Sequence, residues 1–308
     1  MSSLYARFKS NGPSGFGYGS TASDVTEGLD LTGKNILLTG CNSGIGLESM
    51  RVLASRGAHI LGAARTEDKA AAAARGVGAS ITPLSCELSE PDSVLACVDK
   101  VRSMDLKLDV LLLNAGIMAL PRLEKAHGYE LQFFTNHVGH FLLGTGLLDR
   151  LADNARVVVL SSRAHENAPR GAIDFNNLDG SRGYSSWKFY GQSKIANVLF
   201  ARELARRFGT SGKVANAVHP GVIATSLHRH IGPAANAFYA LANPIALKTI
   251  PQGAATQCWA AVHPDAGRIN GEYLFDCNVH RSSRDGQNME VAARLWTETE
   301  KIVASWRS

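Results

Sequence analysis

Apolar residues along this chain fall into short continuous runs that alternate with stretches of helical spacing. Asn35 to Thr39 predicts a strand and Ile45 to Ser55 a helix. His59 to Leu61 reads as a second strand, followed by an alanine-rich helix from Glu67 to Arg75. A less apolar strand is expected at Ser80 to Leu84, then a helix from Asp92 to Val101 with Ser89 as its cap. Asp109 to Leu113 is a strand, Tyr129 to Leu151 a long helix, Val157 to Leu160 a strand, and Trp187 to Phe208 a second long helix. Val214 to Val218 and Tyr273 to Phe275 complete the strand set. Runs that are apolar at consecutive positions suit strands buried on both faces. Strands alternating with helices then predict a mainly parallel sheet with right-handed crossovers. The expected fold is a single doubly wound α/β domain of about seven strands, with ligands at the carboxyl ends of those strands.

Residues 1–31 read as an irregular N-terminal extension, and 32–308 as one dinucleotide-binding catalytic domain of Rossmann type. Inside it, 226–251 is rich in His, Ala and Asn and is expected to cover the substrate, offering Leu227, Ile231, Phe238, Tyr239, Leu241 and Ile245. With 45% hydrophobic and 19% charged residues the chain belongs with folded proteins. The formal charge of +5 is spread rather than clustered, so it gives no nucleic-acid footprint. Cys41, Cys86, Cys97, Cys258 and Cys277 are scattered and lack metal-ligand or disulfide spacing, which points to a reducing compartment. No secretory signal and no apolar run of membrane-spanning length is expected.

Four segments carry chemistry. Thr39 to Gly46, with Gly40, Asn42, Ser43, Gly44, Ile45 and Gly46, links a strand to a helix; glycines there let backbone approach a pyrophosphate at the helix N-terminus. The stretch after the second strand has no carboxylate to bind a ribose 2′-hydroxyl but does have Arg65, whose planar fork suits a 2′-phosphate and favours NADP(H). Tyr190 and Lys194 lie four apart, so a helix presents phenol and ammonium on one face, where the cation favours phenolate. Tyr184 and Lys188 share that spacing, but only Tyr190 leads into the sustained pattern Ile195, Val198, Leu199, Leu204; Tyr184 follows a Gly/Ser turn. Ser162 ends a strand, where a hydroxyl either binds a substrate oxygen or caps a turn. Asn114, Ala115 and Gly116 end another strand, and Pro220, Gly221, Ile223 and Thr225 follow a third; each reads equally as a plain turn or as a cofactor contact. Asn136, His137 and His140 are polar intrusions in the long helix, and the two histidines lack a third ligand for a metal site.

Taken in order, these segments resemble the short-chain dehydrogenase/reductase family, and in particular its retinol-dehydrogenase and WW-domain-oxidoreductase branch with its plant chloroplast-envelope relatives. TGCNSGIG, LNAG, NHVGHFLL, LSS, YGQSKIANVLF and HPGVIAT carry the likeness, which runs from about Gly28 to the C-terminal helix. The resemblance implies a catalytic set of Asn136, Ser162, Tyr190 and Lys194: tyrosine as acid/base, serine orienting the substrate oxygen, lysine on the nicotinamide ribose, asparagine holding a water. It also implies cofactor contacts from the glycine loop, Arg65, Glu87, Leu88, Asn114 to Gly116, Tyr190, Lys194, and the Pro220 to Thr225 turn. Glu87 stands where the family usually has Asp, Leu113 where many members have a second Asn, and Arg163 to Trp187 reads as an inserted loop. The implied protein is a cytosolic NADP(H)-dependent reductase or dehydrogenase of an apolar aldehyde, ketone or alcohol, able to pair with itself through the two long helices. An NADP(H)-binding sensor or scaffold without turnover is the alternative, and a dehydratase or epimerase a lesser one.

Overall fold

The computed structural model describes residues 9–78, 80–223 and 247–307. Its strands are β1 (Asn35–Thr39), β2 (His59–Ala64), β3 (Ile81–Ser85), β4 (Leu108–Leu113), β5 (Lys125–Ala126), β6 (Tyr129–Glu130), β7 (Leu151–Leu160), β8 (Val214–His219), β9 (Tyr273–Phe275) and β10 (Asn278–His280). Its main helices are α1 (Gly44–Ser55), α2 (Glu67–Arg75), α3 (Pro91–Arg102), α4 (Leu131–Phe133), α5 (Gly139–Gly146), α6 (Ser186–Phe208), α7 (Ile250–Val262) and α8 (Met289–Ala304).

Eight strands form one sheet in the order β3-β2-β1-β4-β7-β8-β9-β10, parallel throughout except for the β9–β10 hairpin. The count exceeds the expected seven because β10 is a short edge strand with an exposed Val279, a pattern too brief to read from sequence. Alternate residues feed two cores. Ile36, Leu38, Val110 and Leu112 pack with α1 and α7 on one face. Leu37, Leu111, Leu113 and Val157 pack with α3, α5 and α6 on the other. The chain leaves β1 toward β2 on one side and returns as β4 on the other. A crevice therefore opens over the carboxyl ends of β1 and β4.

Several expectations need correction. The helix predicted over Tyr129 to Leu151 starts two residues later, after the β5–β6 hairpin, whose turn uses His127 and Gly128 at φ 49° and 85°. The Glu130 carboxylate caps it by accepting from the Phe133 amide at 2.8 Å. A π-helical turn, Phe134–Val138, joins α4 to α5, and α5 stops at Gly146. Ser89 is not the cap of α3; Glu90 holds that position, with Pro91 as the first helical residue. Within the N-terminal extension, Ala22, Val25 and Leu31 are buried, and the Ala22 amide donates to Pro251 O at 2.9 Å. Of the presumed cover at 226–251, residues 226–246 lie outside the described residues. Ile250 and Pro251 already belong to α7, which opens with a Thr249–Gln252 capping box.

The C-terminal helix α8 closes the outer side of α5 and α6. The Trp296 ring meets Phe141 edge-on at 4.9 Å and Phe200 at 5.8 Å, with the Arg207 guanidinium 3.9 Å from its centre. Thr299 pairs its hydroxyl with the His137 imidazole at 3.0 Å. No described helix is long and apolar enough to cross a membrane.

Candidate functional site

The glycine loop turns sharply out of β1. Gly40 sits at φ +72°, and a Cβ at Gly46 would collide with the Gly40 carbonyl oxygen, so the first turn of α1 can lie this close only with glycine there. Ser43 precedes α1 in an extended conformation without capping it, which leaves the first amides of α1 to face an anion. Around this loop lies a cavity of about 460 Å³. Gly40, Asn42, Ser43, Gly44, Ile45, Gly46, Arg65, Glu87, Leu88, Asn114, Ala115 and Gly116 all line it. Two further features suit a bound dinucleotide. Asn114 Oδ1 and Thr135 Oγ1, on residues of this wall, are buried without a hydrogen-bond partner. Arg65 is exposed, and no described carboxylate pairs with it. Glu87 is turned to its own loop, where its carboxylate accepts from the Ser89 hydroxyl at 3.1 Å.

A second cavity of about 360 Å³ borders the first, sharing Ile45, Asn114, Gly116, Ile117 and Leu160. Ser162, Tyr190, Lys194, Pro220, Gly221 and Ile223 line it; Thr225 lies outside the described residues. Tyr190 and Lys194 are one helical turn apart on α6, with Nζ 5.6 Å from the phenol ring centre and donating to Leu160 O at 3.2 Å. Burial pushes the Tyr190 phenol up to about 12, against a hydrogen bond from Ser162 that pulls it down. Burial likewise pushes the Lys194 ammonium down to about 8. Lys194 thus stands one turn from the phenol, and burial is the larger influence on each of the two groups.

Asn136 lines neither cavity. The π-helical turn buries it behind Gly116, whose Cβ would stand 2.9 Å from Asn136 Oδ1. Its amide accepts from Ile117 N at 2.8 Å and donates to Ile117 O and Ser193 Oγ, both at 2.9 Å. The side chain is thus spent on holding the loop after β4 to α6.

The second tyrosine has another task. Tyr184 precedes α6, donates to Leu120 O at 2.7 Å and accepts from Gln132 Nε2 at 3.1 Å. It anchors the far side of the loop whose Ile117 and Met118 line the second cavity. His137 and His140 are held by Thr299, Thr39 and Asn136. Among the described residues no three potential metal ligands cluster.

Sequence reasoning missed three contributors. Trp187 stands 42% exposed at the rim of the second cavity, three residues before Tyr190, and helical spacing could have found it. Met118 stands two residues after the Asn114 to Gly116 turn and was equally within reach. Lys248 had no local signal. Its side chain is buried beneath Gly221, whose Cβ would lie 2.6 Å from Lys248 Cδ, and its ammonium pairs with Asp276 at 2.5 Å.

A family model described as short chain dehydrogenase matches residues 34–236. The chain belongs to this family. It is 39% identical to the Brassica napus protein named short-chain dehydrogenase TIC 32 B, chloroplastic, over 96% of each chain. It is 38% identical to retinol dehydrogenase 12 of Mus musculus, covering 88% of this chain and 86% of that one. It is 34% identical to the WW domain-containing oxidoreductase of Pongo abelii, over 92% and 71%. Among solved structures, a Mycobacterium paratuberculosis protein aligns with a TM-score of 0.74 at 31% identity, over 91% of this chain and 97% of that one. A Burkholderia cenocepacia short chain dehydrogenase in complex with NADP shares the fold, with a TM-score of 0.62 at 24% identity over 79% and 96%. These relatives make the chain an oxidoreductase of the retinol-dehydrogenase-like branch.

Proposed function

We propose that this protein is an NADP(H)-dependent oxidoreductase that interconverts a carbonyl and an alcohol on an apolar substrate. One observation carries the reading: the Tyr190 phenol and the Ser162 hydroxyl meet in a cavity that borders the glycine-loop cavity, with Lys194 one turn away. The glycine loop and the start of α1 would hold a pyrophosphate, Arg65 a 2′-phosphate, and Lys194 a ribose. The bound nicotinamide supplies or takes the hydride. Ser162 orients the substrate oxygen and Tyr190 moves the proton to or from it. Ile117, Met118, Trp187 and Val222 give the cavity an apolar mouth, which supports an aldehyde or ketone with an apolar tail.

The test is nicotinamide absorbance with a panel of aldehydes, ketones and alcohols, using NADPH and NADH in parallel. Net hydride transfer separates this reading from a sensor, a scaffold, a dehydratase or an epimerase. Arg65→Ala should raise the KM for NADPH roughly 10- to 100-fold, the loss of one charge-assisted phosphate contact, and leave that for NADH unchanged. Equal effects on both cofactors would remove Arg65 from the assignment. For location, the chloroplastic name of the Brassica relative competes with the cytosolic expectation, and a fluorescent fusion in the source cells decides it.

A further inference from the structure

The reaction proposed above makes no use of His140, a fully buried histidine four residues after Asn136. Its surroundings fix its tautomer. Thr39 Oγ1 accepts from two amides, Asn114 N at 2.9 Å and Ala115 N at 3.0 Å, so its one proton is left to donate to His140 Nε2, 2.9 Å away. With Nε2 accepting, Nδ1 carries the ring proton and donates to the Asn136 carbonyl oxygen at 3.0 Å. Burial, with the Lys194 charge adding to it, holds the imidazole down to about 4, so the ring is neutral across the working range.

The chain of bonds continues beyond Asn136. The Asn136 amide donates to Ser193 Oγ at 2.9 Å, and the Ser193 hydroxyl donates to the Tyr190 carbonyl at 2.8 Å. One buried path therefore runs from the end of β1, where the glycine loop begins, through His140 and the π-helical turn to the backbone of Tyr190 on α6. Every link is made by a side chain that is itself buried. A leucine at position 140 would fill similar space but leave the Thr39 hydroxyl and the Asn136 carbonyl without this partner.

We propose that His140 is a positioning residue that sets Asn136, and through Ser193 the Tyr190–Lys194 turn, relative to the glycine loop. The inference rests on the oxidoreductase reading for its kinetic part and on the hydrogen-bond geometry alone for its spectroscopic part.

Two measurements test it. Nitrogen-detected NMR of the intact protein should report His140 with a protonated Nδ1 and a bare Nε2, unchanged between pH 8 and about pH 5. In Thr39→Val the Nε2 signal should shift, and in Thr39→Ser it should stay. An Nε2-protonated ring in the wild type overturns the proposal whatever the activity. In kinetics with NADPH and a carbonyl compound that the wild type reduces, His140→Leu should lower kcat roughly 10-fold or more, with the Kd for NADPH within about threefold. Thr39→Val should lose part of that rate and Thr39→Ser should regain it. His140→Leu combined with Ser193→Ala should be no worse than His140→Leu alone, because both break one path and Ser193 Oγ serves no bond outside it. Wild-type kcat in His140→Leu, or losses that multiply in the double variant, overturns the proposal. Should His140→Leu fail to fold, the Thr39 pair gives the same decision. A Tyr190→Phe enzyme that still turns over would instead defeat the oxidoreductase reading and leave the NMR result standing.

Discussion

Two tyrosines in this chain are followed by lysine at the same distance, and only six residues separate them. Tyr190 and Lys194 are both buried on one face of α6, beside an open cavity and within reach of Ser162. Tyr184 is half-buried ahead of the helix, and Lys188 is exposed. Both phenols are pushed up to about 12, Tyr184 by burial and then by the charge of Glu130, so acidity does not tell them apart. What differs is occupation. The Tyr184 hydroxyl already serves Leu120 and Gln132, whereas Tyr190 faces space a substrate can enter. Spacing brings a phenol and an ammonium to one side of a helix; the start of the helix and the neighbouring void decide which pair can do chemistry.

The strongest way to break this contrast is Tyr190→Phe. It should lower kcat roughly 10²- to 10⁴-fold and leave NADPH binding, followed by fluorescence, nearly unchanged. Collapse of turnover in Tyr184→Phe instead would reverse the assignment.

Next comes the pH dependence of folding. The buried Lys194 takes up its proton only below about 8, while an unfolded chain holds it to about 10.5. Between those values the unfolded state binds more protons, so stability from this group rises with pH and its penalty is fully present below about 8. The difference in urea stability between wild type and Lys194→Met should therefore shift in favour of the wild type from pH 8 to pH 10. A flat difference would mean that the lysine is not desolvated.

The smallest effects fall on the other pair. Tyr184→Phe should cost about 1 kcal/mol in urea unfolding through its lost hydrogen bonds, with kcat kept within about threefold. Lys188→Ala should change stability by less than about 0.5 kcal/mol.

The elements that built the site were legible where the signal is local. The glycine loop, the Tyr190 helix and the strand ends at Asn114 and Ser162 are each written within a few consecutive residues, and each lines one of the two adjoining cavities. Legibility failed where a residue depends on distant partners. Lys248 is buried because Asp276 comes to it from another part of the chain, and nothing near position 248 announces that. The π-helical turn likewise leaves the hydrophobic spacing intact, so Tyr129 to Leu151 reads as one helix although Gly128 and Gly146 bound a shorter, uneven one.

The order in which a ribosome delivers this chain gives α8 a particular weight. Phe141 and Phe200 are both made before the tryptophan that covers them. A chain released at Asn288 would hold every residue of both cavities and still present an open aromatic surface. Such a product should be lost to aggregation rather than survive as a slow enzyme, and the soluble yield of that truncation, compared with full length, measures it.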